Sequence, residues 1–183
     1  MPRIAPATPD QIDQKATQTL DQVEKATGKR PNIMRTMAHS SAVLQAYVGF
    51  QQALGRASLD PALREQIALA VAGANGCDYC ASAHTAMAQA QGVDDAETRE
   101  NLDGRSTDPA TEAALAFART VVNKRGWVDD DDLAAVREAG FGDQKIVELL
   151  AVVAINMFTN YFNHATRPEV DFPPVELPAS TGD

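Results

Sequence analysis

The sequence predicts an all-α fold, and three observations carry that expectation. Alanine dominates many segments while only 5% of residues are aromatic, apolar residues recur at helical spacing, and cap residues, prolines and glycines punctuate the chain at regular intervals. No stretch alternates with period two over a strand's length, and no strict repeat is present. At 183 residues the chain is long enough to bury a core without disulfides or a structural metal. One all-helical domain over residues 1–183 is expected, with eight to nine helices, a motif-bearing region at 40–125 and an extended tail at 168–183.

The elements follow in order. Thr8-Pro9 opens an amphipathic stretch that ends at Gly28, because threonine caps and proline is preorganised for a first turn. Pro31 to Ala38 reads as a short helix. Ser40 and Ser41 cap the next, which carries Val43, Leu44, Tyr47, Val48 and Leu54 to Gly55. Leu59-Asp60-Pro61 starts a helix that closes near Gly76, and Cys77 to Gln91 forms the central one, stopped by Gly92. Asp94 opens a short acidic helix, Asp108-Pro109 a strongly apolar one through Val122, and Gly126-Trp127 breaks it. Asp129 to Ala139 follows, where the acidic run Asp129–Asp132 reads as a solvated helix start. Asp143 caps a long last helix with Ile146, Leu149, Leu150, Val153 and Met157. The tail, with Pro173, Pro174 and Pro178, is extended.

Charge and cysteine usage narrow the function. The net charge is -9, from 16 Lys plus Arg against 25 Asp plus Glu, and no basic cluster is dense enough to track a phosphate backbone. The N-terminus lacks the apolar segment of a secretory signal, and the longest uninterrupted apolar run, Ile67 to Ala74, is too short to span a bilayer. A cytoplasmic protein with no nucleic-acid or membrane partner is expected. Its only two cysteines sit three residues apart, which in a reducing compartment points to redox or metal chemistry rather than a staple.

Cys77-Asp78-Tyr79-Cys80 is a C-x-x-C, and His84 follows four residues after the second thiol. At about 100° per residue, Cys80 lies about 60° and His84 about 20° from Cys77, so all three share one helix face. A helix N-terminus lowers a thiol pKa, and an adjacent imidazole takes the proton. Glu65, twelve residues before Cys77 on the preceding helix, folds back in a hairpin to orient the imidazole. Zinc ligation by Cys77, Cys80, His84 and Glu65, a chance pair of buried thiols and an inert disulfide are the competing readings. A tetrahedral zinc site gathers ligands from two separated knuckles, whereas three of these candidates lie on one helix. Redox chemistry is the preferred reading, with no cofactor and no metal.

The run Glu65, eleven residues, Cys77-Asp78-Tyr79-Cys80, three residues, His84 resembles the alkyl hydroperoxidase D-like, C-x-x-C-containing branch of the carboxymuconolactone decarboxylase superfamily. The likeness spans roughly residues 31–164 and is sharp in the motif itself. It implies an all-helical fold, assembly as a trimer or hexamer, and thiol-dependent reduction of hydroperoxides. By position, Cys80 becomes the peroxidatic cysteine, Cys77 the resolving thiol, and His84 with Glu65 the proton relay. The chain departs from the family's peroxidases at Tyr79, where they carry a histidine; Tyr79 is either a proton donor near the thiols or packing with a satisfied hydroxyl. A thioredoxin-like or lipoyl-type partner would return the electrons.

Three functions stay open at this stage: a thiol-dependent peroxidase cycling through a Cys77–Cys80 disulfide, a general disulfide oxidoreductase or redox-responsive interaction protein, and a decarboxylase-like acid–base enzyme using His84 and Glu65. Two further features lie outside the motif. Asn156, Asn160, Asn163 and His164 form a polar stripe on the last helix, read as an interface or as a pocket wall. His39 reads as a surface or capping residue.

Overall fold

The computed structural model describes residues 1–177. Among them the regular elements are a 3-10 turn (Pro9–Gln11) and nine α-helices: α1 (Gln14–Thr27), α2 (Asn32–Met37), α3 (Ser41–Leu54), α4 (Pro61–Asn75), α5 (Asp78–Ala90), α6 (Asp95–Leu102), α7 (Pro109–Asn123), α8 (Asp130–Glu138) and α9 (Asp143–Thr166). The all-α expectation holds.

Most starts lie where the local chemistry put them. Asp60, Asp94 and Asp108 each cap a helix by accepting a backbone N–H, and Pro61 and Pro109 occupy first turns. Asp129 and Asp132 form a reciprocal capping box at α8. Two expectations are corrected. Thr8-Pro9 opens only the 3-10 turn; Asp13 caps α1 by accepting from Ala16, because Ile12 breaks the run with extended backbone. Asp143 does not cap α9 either: Gly142 holds the cap position, and the Asp143 carboxylate pairs with Arg137 at 3.0 Å instead.

The fold is organised around α4. Every residue from Gln66 to Ala72 is buried, so the helix is apolar nearly all round and must be surrounded. Leu69 and Ala72 face one core cluster with α1, α2 and the first half of α5; Ile67, Ala70 and Val71 face a second with α7, α8 and α9. Gly73 lets α6 approach closely: a Cβ there would land on the Leu102 carbonyl oxygen. Gly76 then takes a left-handed φ of 65° and ends α4, while the Cys77 N–H bonds back to the Ala72 carbonyl at 3.0 Å. This two-residue hinge aims α5, and with it the cysteines, back along α4.

α9 is by length and composition apolar enough to cross a membrane, but half of that window is buried within the protein. Its inner side carries Ile146, Leu149, Val152, Val153 and Ile155 into the second core. Its outer side leaves Val147, Leu150, Phe158 and Tyr161 exposed. After Thr166 the chain runs extended across α2 and α5. Asp171 accepts from the Asn32 N–H at 2.9 Å, the Val175 N–H donates to Ser82 Oγ at 3.2 Å, and Phe172 packs edge-on against Tyr79. From Arg167 to Leu177 the chain forms no helix or strand, and Pro178 lies outside the described residues.

Candidate active site

Cys77 is the N-cap of α5 rather than part of it. Its Sγ accepts the Cys80 N–H at 3.4 Å, so the sulfur occupies the place a serine oxygen takes at other helix starts. Both cysteines are free thiols, 1% and 2% exposed. Access to them comes through a cavity of about 470 Å³, walled by α2, α3, α4, α5, α9 and the tail. Cys80 lines it and Cys77 does not, so Cys77 lies behind its partner.

The two thiols titrate as a pair. The Cys80 thiol, donating to Cys77, is the largest influence and holds Cys77 below the ordinary thiol range against the cost of burial; the Cys80 N–H and Asn163 add to it. Cys80 is correspondingly pushed far up, first by that same donated hydrogen bond and then by burial. Of the two thiols, Cys77 is therefore the readier to ionise, while Cys80 holds its proton.

Glu65 and His84 meet as the hairpin requires. His84 Nδ1 lies 2.7 Å from Glu65 Oε2, with the two side chains 12% and 24% exposed. An Nδ1–H donated to the carboxylate leaves Nε2 free, and both residues line the cavity. The structure gives His84 no hydrogen bond to either sulfur. That contact belongs to α9: Asn163 Nδ2 lies 3.2 Å from Cys80 Sγ and 4.0 Å from Cys77 Sγ. Thr159, one turn earlier, also favours charge on Cys80.

The polar stripe thus divides. Asn163 touches the thiols and Asn156 lines the cavity while donating to the Val152 carbonyl; Asn160 accepts from Asn75 at 2.9 Å; His164 is exposed. Tyr79 lines the cavity too, but its hydroxyl donates to Asp171 at 2.6 Å and accepts from the Ile33 N–H at 3.3 Å. Burial, then the Asp171 bond, push its pKa well up, so it stays protonated and ties the tail to α5. His39 is a surface residue bonded to the Ala5 carbonyl. Among the described residues no three His, Cys, Asp or Glu side chains converge as a metal-ligating group.

Sequence reasoning reached the four motif residues and noticed the amide stripe, but it did not single out Asn163 as the thiols' neighbour. The signal was an asparagine on the buried side of an apolar helix, where an amide needs a partner.

The Carboxymuconolactone decarboxylase family model matches residues 41–123, which span α3 to α7 and contain the whole motif. No curated protein matches the sequence. Three solved structures share the fold. A peroxidase-related protein of uncharacterised function from Ralstonia eutropha JMP134, described as an alkylhydroperoxidase AhpD core, is 24% identical with a TM-score of 0.83, covering 96% of this chain and 93% of its own. A peroxidase-related protein of uncharacterised function from Silicibacter sp. TM1040 is 22% identical with a TM-score of 0.79, covering 94% and 90%. The debrominase Bmp8, solved free and, as a cysteine-to-alanine variant, with 2,3,4-tribromopyrrole, is 20% identical with a TM-score of 0.77, covering 92% and 91%. Residues 41–123 thus match the carboxymuconolactone decarboxylase family model, and the chain shares its all-helical fold with AhpD-like, peroxidase-related proteins.

Proposed function

We propose that the protein is a thiol-dependent peroxidase that reduces organic hydroperoxides through a Cys77–Cys80 disulfide. The observation that carries the reading is a pair of neighbouring thiols at a helix start, of which only Cys80 faces a substrate-sized cavity that also holds the Glu65–His84 pair.

The steps follow from the geometry. The dithiol loses one proton to the cavity, where His84 Nε2 receives it, and Glu65 holds the imidazole. The remaining proton moves to Cys77, placing the charge on Cys80, where the Asn163 amide donates to it. Cys80 attacks the terminal oxygen of the hydroperoxide and the O–O bond breaks. The sulfur gains OH as a sulfenic acid, and the alkoxide leaves with a proton from His84 as the alcohol. Cys77 then attacks the sulfenic sulfur, expelling water and closing the disulfide. Two electrons pass from the dithiol to the peroxide. A thioredoxin-like or lipoyl-type dithiol returns them, and the depth of the sulfurs favours the slender lipoyl group.

The debrominase among the fold's relatives is a reminder that the same scaffold serves other acceptors, so the assay must measure the peroxide itself. Organic hydroperoxide consumption is followed with a dithiol reductant in excess. Many turnovers per protein, abolished in Cys80→Ser, are expected. Turnover that survives Cys80→Ser sinks the reading, and oxidation that stops after one equivalent favours a redox-responsive interaction protein. We further propose a cytoplasmic homo-oligomer; the exposed apolar stripe Val147, Leu150, Phe158 and Tyr161 on α9 supports the assembly alone.

A further inference from the structure

Among the described residues, one cation in the cavity wall is left without an anionic partner. Arg64 precedes Glu65 on α4, and its side chain lines the cavity beside the Glu65–His84 pair. Its Nη1 donates to the Leu54 carbonyl at the end of α3, while its Nε is buried with no hydrogen-bond partner. Among the described residues, the one carboxylate lining the cavity, Glu65, is held by His84 at 2.7 Å. Lys29, the other cation in the wall, is occupied: its Nζ sits 3.2 Å from the centre of the Phe172 ring and reaches the Asp171 carbonyl.

The Nε is shut off from the cavity, but the guanidinium's charge is unpaired, and a half-buried cation is costly unless an anion meets it. A carboxylate is the matching group, because its two oxygens fit the planar fork of guanidinium donors. The remaining wall is mainly apolar, with Met34, Leu54, Ala68, Val152 and Ile155 contributing. Cys80 and His84 are four residues apart on α5, about 6 Å along the axis. Arg64 lines the same cavity as both of them, so one molecule within it can meet the guanidinium and the reactive sulfur.

We infer that the cavity takes an apolar molecule bearing a carboxylate at one end, with the carboxylate on Arg64 and the apolar body directed toward Cys80. The inference rests on the proposed function for the identity of the reacting end, which makes the substrate class the hydroperoxides of apolar carboxylic acids. The carboxylate site itself stands on Arg64.

The test is equilibrium binding of octanoate, methyl octanoate and 1-octanol to the reduced protein, by titration calorimetry, with no peroxide present. Octanoate is expected to bind about tenfold or more tightly than either neutral molecule, the scale of a charge-assisted hydrogen bond. That preference should disappear in Arg64→Gln and survive in part in Arg64→Lys, with thermal melting of both variants checking that they fold. Equal binding of the three molecules by the wild type overturns the inference without any variant, as does a preference that survives in folded Arg64→Gln. Octanoate bound through Arg64 by a protein that turns over no hydroperoxide upholds this site and sinks the peroxidase reading. Hydroperoxide turnover with no carboxylate preference does the reverse.

Discussion

Two half-buried glutamates, 32 residues apart in sequence, differ in how completely they are satisfied. Glu97 on α6 accepts from Gln66, Asn101 and Ser106 and from both the N–H and the hydroxyl of Thr107, which pins the α6–α7 loop onto α4. Glu65 on α4 meets one partner, His84, and both face open space. A carboxylate surrounded by donors holds a structure together. One with a single imidazole partner, beside a thiol and a cavity, is placed to pass a proton. The same contrast separates the α6–α8 side of the molecule, where loops are tied by carboxylates, from the α4–α5 hairpin, where polar groups are left with work to do.

Substitutions can break that comparison, and the largest effect is expected at the sulfur. Cys80→Ser should lower hydroperoxide turnover by more than about 10³-fold, since it removes the nucleophile altogether. Steady-state assays of folded protein check this. Glu65→Gln should cost about 10²-fold in turnover by weakening the proton relay, while melting hardly shifts. Glu97→Gln should do the opposite: a loss of about 1–3 kcal/mol in denaturant-determined stability with turnover unchanged. Equal stability losses for the two glutamines would erase the distinction. On the same structural side, Gly73→Ala should cost about 1–3 kcal/mol, because the added methyl meets the Leu102 backbone and α4 and α6 must separate.

The smallest expected effect lies in pH dependence. Burial works to raise the Glu97 pKa, but the donors around it win and hold it below the ordinary value of 4.5. A lowered carboxylate pKa stabilises the fold above the unfolded-state value, and that contribution is lost as pH falls through the folded-state value. The stability gap between wild type and Glu97→Gln should therefore be full at neutral pH and shrink only below about pH 4.5. A gap that stays constant to lower pH would remove the charge from the account.

Much of this architecture was legible locally. Asp60-Pro61, Asp94 and Asp108-Pro109 announce helix starts because the cap and its first turn are neighbours in sequence, and the spacing of Glu65, Cys77, Cys80 and His84 is set by one hairpin. Where a side chain had two suitors, local reasoning erred. Asp143 has the right chemistry for a cap, yet Arg137 takes its carboxylate. What lies far apart in sequence was least visible. Asn163 reaches Cys80 across 83 residues, and Asp171 reaches Tyr79 across 92. These contacts depend on how α9 and the tail pack onto α5, which no short window records. Arg64 drew no reading of its own, because its place in the cavity wall depends on how the end of α3 packs beside α4.

The central claim is that Cys80, facing the cavity, is the sulfur oxidised first, and that Cys77, behind it, resolves the product. Mass spectrometry of the reduced protein before and after one equivalent of an organic hydroperoxide tests it directly. Wild type should lose two hydrogens, and Cys77→Ser should gain one oxygen, located on residue 80. An oxygen found instead on Cys77 in Cys80→Ser, with Cys77→Ser unreactive, would reverse the assignment, and no rapid change in any of the three proteins would contradict the peroxidase account as a whole.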